Sequence, residues 1–283
     1  MTLAGPVDPE RVSEGLALLR DLGFEVVPSP NLDRRTGYLA GGDDERLAGL
    51  EHLLDQDIDV LIAARGGYGT ARLLPRLPWG HLAAWGGWVV GFSDVTALHA
   101  ALAGRFPVAT LHGPMVTTLS RDHRSTALLM AWLRGRAPGE LFDLSAATVL
   151  RHGRARGPAV GGNLSVLGAL EGTPYRPSYE GAVLLVEDVG EPGYRLDRVL
   201  NQLRQTEALS RVAAVLAGEL CDCGRNEPGF QTRWHELLLE AAPADVPVVA
   251  GLPFGHGTVN LPFPLGGMLD VDTRRGTVRW EGP

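Results

Sequence analysis

Cysteine is nearly absent: the 283 residues contain only Cys221 and Cys223, one residue apart. That spacing is poor for an ordinary disulfide, and two sulfurs alone do not make a zinc site. They read as plain buried or half-buried thiols suited to a reducing compartment. No apolar run approaches the roughly 20 residues needed to span a bilayer. Residues 1–9 have neither a basic start nor an apolar stretch, so no signal peptide is expected. Positive charge is in deficit, with a net charge of -7, which disfavours tight binding to nucleic acid or an anionic membrane. The phosphate-binding pattern Gly-x-x-x-x-Gly-Lys-Ser/Thr, the dinucleotide fingerprint and Gly-x-Ser-x-Gly are all missing. No His/Cys/Asp cluster has zinc-ligand spacing, so neither metal nor cofactor is expected, and chelators should leave activity intact. There is no internal repeat and no low-complexity tract. These absences favour a soluble, cytoplasmic protein.

What is present supports a packed core. Hydrophobic residues make up 45% and charged residues 21% of the chain, values that exclude disorder. The length fits one large or two modest domains. Asp8-Pro9 is a helix start, and Val12, Leu16, Leu19 and Leu22 follow at helical spacing. Residues 24–27 read as a strand and 43–54 as a helix. Residues 59–64 and 88–92 read as strands, the second followed by a helix to residue 104. Residues 108–111 give a further strand. This alternation is that of a mostly parallel sheet covered by helices, in which ligands bind at the carboxyl ends of the strands. Residues 119–157 are less regular, and the basic run 151–157 reads as a solvated connector. Beyond it, a helix to Leu170, strands at 183–186, 212–216 and 248–250, helices at 194–209 and 234–241, and a terminal hairpin at 268–280 are expected.

The turns after strands hold the residues with chemistry to offer. Ser93, in Gly91-Phe92-Ser93-Asp94, sits on a strand-to-helix turn beside free helix N-terminal amides. Capping by Ser93 or Asp94 is the plainer reading of that turn. A serine nucleophile needs a base, and the base needs an orienting acid. Of eight histidines, His256 follows the strand at 248–250, His112 is a second choice after its own strand, and His99 is expected to point out of its helix. Glu187 and Asp188 end the strand at 183–186. Arg65-Gly66-Gly67-Tyr68-Gly69 could bring bare amides to a ligand or be a tight turn.

Six segments, in order, resemble the LD-carboxypeptidase family of serine peptidases. They are Arg65-Gly66-Gly67-Tyr68-Gly69, the run Gly91 to Leu98, Gly161-Gly162-Asn163-Leu164-Ser165, Gly172-Thr173-Pro174-Tyr175, the run Leu185 to Glu191, and the run Gly251 to His256. The resemblance covers nearly the whole chain and implies an α/β protein. An N-terminal parallel α/β domain carrying the nucleophile is expected at 1–118, a crossing segment at 119–157, and a mixed, β-rich C-terminal domain at 158–283. It implies Ser93 as nucleophile, Glu187 as orienting acid and His256 as base, with the amides of Gly67 and Asp94 as oxyanion donors. Arg65, Tyr68 and Asn163, in the matching segments, are candidates for holding substrate. Arg65 could clamp a terminal carboxylate or serve a structural salt bridge. The implied activity is removal of terminal D-alanine from murein tetrapeptide in the cytoplasm, by a homodimer without metal. A microcin-immunity-like hydrolase of peptide–nucleotide conjugates and a non-catalytic wall-peptide binder are the rival readings. The family begins with a fuller first strand than Met1 to Pro6 supplies.

Overall fold

The computed structural model describes residues 1–103, 106 and 110–282. Two sheets organise it. The first has four strands in the order Val60–Ile62, Trp88–Gly91, Thr110–His112 and Phe263–Leu265. The first three are parallel, and the last joins antiparallel to Thr110–His112. The C-terminal part of the chain therefore completes the N-terminal sheet. The second sheet has eight strands. Arg154–Asn163, Val183–Val189, Ala214–Cys221 and Val248–Ala250 are its parallel centre. Thr148–Arg151 closes one side antiparallel. Met268–Asp272, Thr277–Gly282 and Glu140–Asp143 close the other, also antiparallel. The expected α/β class with a mixed second sheet is what the chain forms.

Local signals place most helices. Asp8 caps Pro9–Asp21, its carboxylate accepting from the amides of Glu10 and Arg11. Asp43–Leu54 buries Leu47, Leu50, Leu53 and Leu54 on one face. Asn163 caps Leu164–Leu170 by accepting from the amide of Val166 at 3.1 Å. The central strands Val183–Val189 and Ala214–Cys221 begin with apolar runs, 183–186 and 214–217, that are buried on both faces, as parallel strands covered by helices must be.

Several expectations fail for identifiable reasons. Residues 24–27 form no strand, because no neighbour pairs with them; Arg134 lies over the Phe24 ring and Val27 is exposed. Met1 instead runs beside the first sheet, its amino group donating to the carbonyl of Ile62 and its carbonyl accepting from Ala64. Residues 119–157 are ordered, with the helix His123–Leu133 capped by Asp122 and two sheet strands. The basic run is not a loose connector. It turns from one strand into the next, and its outward side chains pair as Arg154–Asp270 and Arg156–Glu281. The strand expected at 183–186 extends through Val189, so Glu187 and Asp188 lie within it. Val108 and Ala109 of the expected 108–111 strand, and Gly104 at the end of the preceding helix, lie outside the described residues.

Candidate active site

Ser93 stands one residue beyond the strand Trp88–Gly91, after Phe92, and starts a short 3-10 turn that leads into the helix Thr96–Ala103. Its φ is 62°, a left-handed conformation that a side chain makes costly. Such strain at a strand-to-helix elbow lifts a hydroxyl clear of the sheet. The helix it opens is docked hard on the second sheet: the amide of Asn163 donates to Thr96 Oγ1 at 2.9 Å. A Cβ on Gly162 would lie 2.3 Å from that oxygen, so glycine is required there. Asn163 in turn pairs in register with Glu187 on the adjacent strand. Three short steps thus connect the serine turn to the acid.

Glu187 sits where the ladder to Ala214–Cys221 shifts register, between Val186 and Asp188. Irregularities of this kind re-aim a side chain. Its carboxylate is fully buried and accepts from His256 Nδ1 at 2.6 Å. Burial pushes the Glu187 carboxyl above its ordinary value; the hydrogen bond from His256 opposes this, and the charge of Asp188 adds to it. Engagement of Nδ1 leaves Nε2 of His256 as the free ring nitrogen. The His256 loop is fastened at several points. Gly255 donates to Asn260 Oδ1, the amide of Asn260 donates to Ser125 Oγ, and Glu219 donates to the carbonyl of Phe254. Gly255 has φ 120°, and a Cβ there would approach Glu187 Oε2 to 3.0 Å. The Phe92 ring, next to Ser93, lies 4.9 Å from the His256 ring. No hydrogen bond joins Ser93 to His256.

The loop 65–69 lies against the serine. A Cβ on Gly66 would come within 2.9 Å of Ser93 Oγ. The carbonyl of Gly66 accepts from the amide of Gly5 at 3.1 Å. On the same planar trans peptide, the N–H of Gly67 points the opposite way, and it has no partner among the described residues. Asp94 does double duty: its buried carboxylate accepts from the amides of Gly69 and Thr70, at 3.3 and 2.8 Å. Burial raises the Asp94 carboxyl, against those bonds and the nearby Arg46 charge.

The other candidates are dispersed. Arg65 is exposed and donates to the carbonyl of Pro6 at 2.8 Å. The chain contains no lysine, so arginine is the permanently charged side chain that could clamp a carboxylate. Tyr68 is exposed beside Gly67. Asn163 is turned into the protein, donating to Asp188 Oδ1 at 3.0 Å. His99 does not point outward: it is buried, bonds the carbonyl of Gly91 at 2.9 Å, and burial lowers its pKa to about 4. His112 is buried in the first sheet and stacked on Phe263, with burial holding it neutral.

Two residues escaped the sequence reading. Arg46 is fully buried and joins the carbonyls of Leu3 and Gly69 to Asp43, bracing the loop 65–69. Its three-residue offset from Asp43 was the available signal. Arg121 lines a small cavity with Phe92, Gly255 and Gly257, and no spacing pointed to it. Among the described residues, no group of three or more His, Cys, Asp or Glu could hold a metal ion.

The N-terminal domain of the LD-carboxypeptidase family matches residues 1–113, and its C-terminal domain matches residues 156–271. The murein tetrapeptide carboxypeptidase of Pseudomonas aeruginosa is 34% identical over 93% of this chain and 89% of that protein. The crystal structure of a muramoyltetrapeptide carboxypeptidase from Oxalobacter formigenes covers 99% of this chain and 98% of its own, with a TM-score of 0.82 at 28% identity. A structure of MccF in complex with glutamyl sulfamoyl guanosine superposes with a TM-score of 0.84 over 100% of this chain and 99% of its own. At 20% identity that last likeness is one of fold.

Proposed function

This chain belongs to the LD-carboxypeptidase family, and on that premise we propose that it removes terminal D-alanine from murein tetrapeptide with Ser93, His256 and Glu187. The observation that carries the reading is the 2.6 Å bond from His256 to a fully buried Glu187, reached through the docked Thr96–Asn163 contact from a strained Ser93. Ser93 Oγ attacks the scissile carbonyl and His256 Nε2 takes its proton. The oxyanion is met by the amides of Gly67 and Asp94, and Glu187 holds the imidazolium. Collapse breaks the C–N bond, and Nε2 returns the proton to the leaving amine. Water, deprotonated by the same nitrogen, then releases the acyl group. Arg65 takes the substrate's free carboxylate, exchanging its bond to Pro6 for a charge-assisted one.

The reading extends to the cytoplasm and to recycled wall fragments. Cys221 and Cys223 are free thiols, which suits a reducing compartment. No helix among the described residues is long and apolar enough to cross a membrane. A homodimer is part of the same reading and is tested by sedimentation of the purified chain. The reaction is tested by digesting a defined tetrapeptide and reading the products by mass. The parent should release D-alanine, and the folded Ser93→Ala protein should lose about 10⁴-fold or more in turnover. Release at the parent rate by Ser93→Ala would sink the mechanism.

A further inference from the structure

Most aromatic rings of this protein are packed away, but Tyr38, Tyr194 and Tyr68 are 66%, 58% and 51% exposed, and Tyr38 and Tyr68 lie together. They meet each other edge to face, with centroids 5.8 Å apart and planes at 60°. Tyr68 belongs to the loop that touches Ser93 through Gly66. Tyr38 sits at the tip of a tight turn closed by Thr36 and Leu39, which exchange both backbone bonds, at 2.8 and 3.0 Å. Gly37 supplies the positive φ, 60°, that the turn needs. The base of the turn is fixed: the amide of Ala40 donates to Ala4, and its carbonyl accepts from Asn31 Nδ2. The backbone is thus braced while both rings are left mostly in water. Arg72, held by Asp43 at 2.7 Å, is half-exposed on the short helix Thr70–Leu73 that follows Tyr68, so a charged pair lies next to it in the chain.

We propose that Tyr38 and Tyr68 form a sugar-stacking subsite that takes the N-acetylmuramyl ring at the amino end of the murein peptide. The proposal rests on the reaction assigned above and names where the remote end of its substrate lies. The Cα atoms of Gly66 and Tyr68 are within about 7 Å of each other, because only two residue steps separate them. A tetrapeptide bound through its last peptide bond stretches about 3.3–3.6 Å per residue back from Ser93. The three residues between the scissile carbonyl and the amino terminus, where the sugar is attached, span about 10–11 Å, a distance that the Tyr68 ring, standing several ångströms out from its Cα, can reach. Chemistry agrees with reach. A pyranose has an apolar C–H face and a hydroxyl rim, which matches ring faces bordered by phenol oxygens, with the charged Arg72 shortly after Tyr68 in the chain.

The test compares binding of muramyl-tetrapeptide and of the bare tetrapeptide to the full-length Ser93→Ala chain by calorimetry. The sugar should strengthen binding about tenfold. Adding Tyr38→Ala should remove most of that advantage, and Tyr38→Phe should keep it. An equal sugar advantage in Tyr38→Ala, or none in the Ser93→Ala chain, overturns the subsite. Tyr38-dependent binding of an aminoacyl sulfamoyl adenosine in place of the sugar would also overturn it. So would a fall in sedimentation coefficient caused by Tyr38→Ala, since the rings would then face a second copy. If the parent chain releases no D-alanine from either peptide while the Tyr38-dependent sugar advantage persists, the assigned reaction fails and the subsite stands.

Discussion

Ser93 owes its place to backbone geometry, whereas His256 owes its place to a buried charge. On the serine side the determinants are a left-handed φ of 62°, a bare Gly66 against the hydroxyl and a Gly67 amide left free. On the histidine side they are a carboxylate with no exposure, a 2.6 Å hydrogen bond and a loop fastened through Asn260 and Ser125. The first arrangement stores strain, which neighbouring structure must offset. The second pays for burying an acid, which the imidazole partly offsets. Substitutions should therefore act differently on the two sides, and that difference can be broken on purpose.

Outside the three reacting side chains, the largest effect is expected where both kinds of constraint meet, at Gly255. Its φ of 120° strains any other residue, and an added Cβ would approach Glu187 Oε2 to 3.0 Å. Gly255→Ala should displace either the carboxylate or the imidazole. A misplacement of about 1 Å can cost about 10²-fold, so turnover of the tetrapeptide should fall by about that factor or more. Steady-state kinetics on the folded variant check it; turnover within about threefold of the parent would mean that the loop adjusts freely and the dyad is not tightly held.

The second effect is on pH-dependent stability. Burial holds the Glu187 carboxyl above its ordinary 4.5. Just above that value the folded chain therefore keeps a proton there that the unfolded chain has released, and it gives way at higher pH to the carboxylate that orients His256. Stability from the neutral carboxyl is fully present below the unfolded value and is lost as pH rises through the raised folded value. Glu187→Gln cannot ionise and escapes that loss. Its Tm relative to the parent should rise as pH increases above the ordinary carboxyl value of 4.5, by a few degrees for a chain of this size. Activity should fall, though less than in Ser93→Ala, since orientation of the imidazole is impaired without being abolished. A Tm difference that stays constant with pH would show that His256 compensates the buried charge fully.

How far the site was legible in the sequence follows the same division. Local determinants could be read directly: Asp8 and Asn163 cap helices, and Ser93 follows a strand in the expected turn. The meeting of Glu187 with His256 could not be read from spacing, because they are brought together across 69 positions by sheet pairing and a loop. Only the family resemblance anticipated that pair. The register shift at Glu187 and the buried Arg46 have no local signature strong enough to stand alone. The failed strand at 24–27 makes the converse point: an apolar pattern states what a segment can pair with, and the rest of the chain decides whether a partner is there. His99 was misplaced for a similar reason, since helical spacing does not reveal that both sides of Thr96–Ala103 are covered.

The smallest expected effect is also the cleanest separation of the two sides. At φ 62° a residue with a Cβ pays about 1–2 kcal/mol that glycine does not. Ser93→Ala keeps the Cβ and so keeps the strain; Ser93→Gly loses it. Both remove the hydroxyl and should be equally inactive. They should nonetheless differ in stability. Glycine also loses about 0.5–1 kcal/mol through its freer unfolded chain, so the net advantage of Ser93→Gly over Ser93→Ala should be about 0.5–1 kcal/mol. For a chain of this size that is about 1–4 °C in Tm. Paired thermal scans of the two variants measure it, and the shared loss of the hydroxyl cancels from the comparison. Equal midpoints, or a lower one for glycine, would mean that the serine turn is not strained and that its φ relaxes at no cost. A higher midpoint for the glycine variant would show that the nucleophile's position is held against the backbone's own preference, as strain stored at a working residue should be.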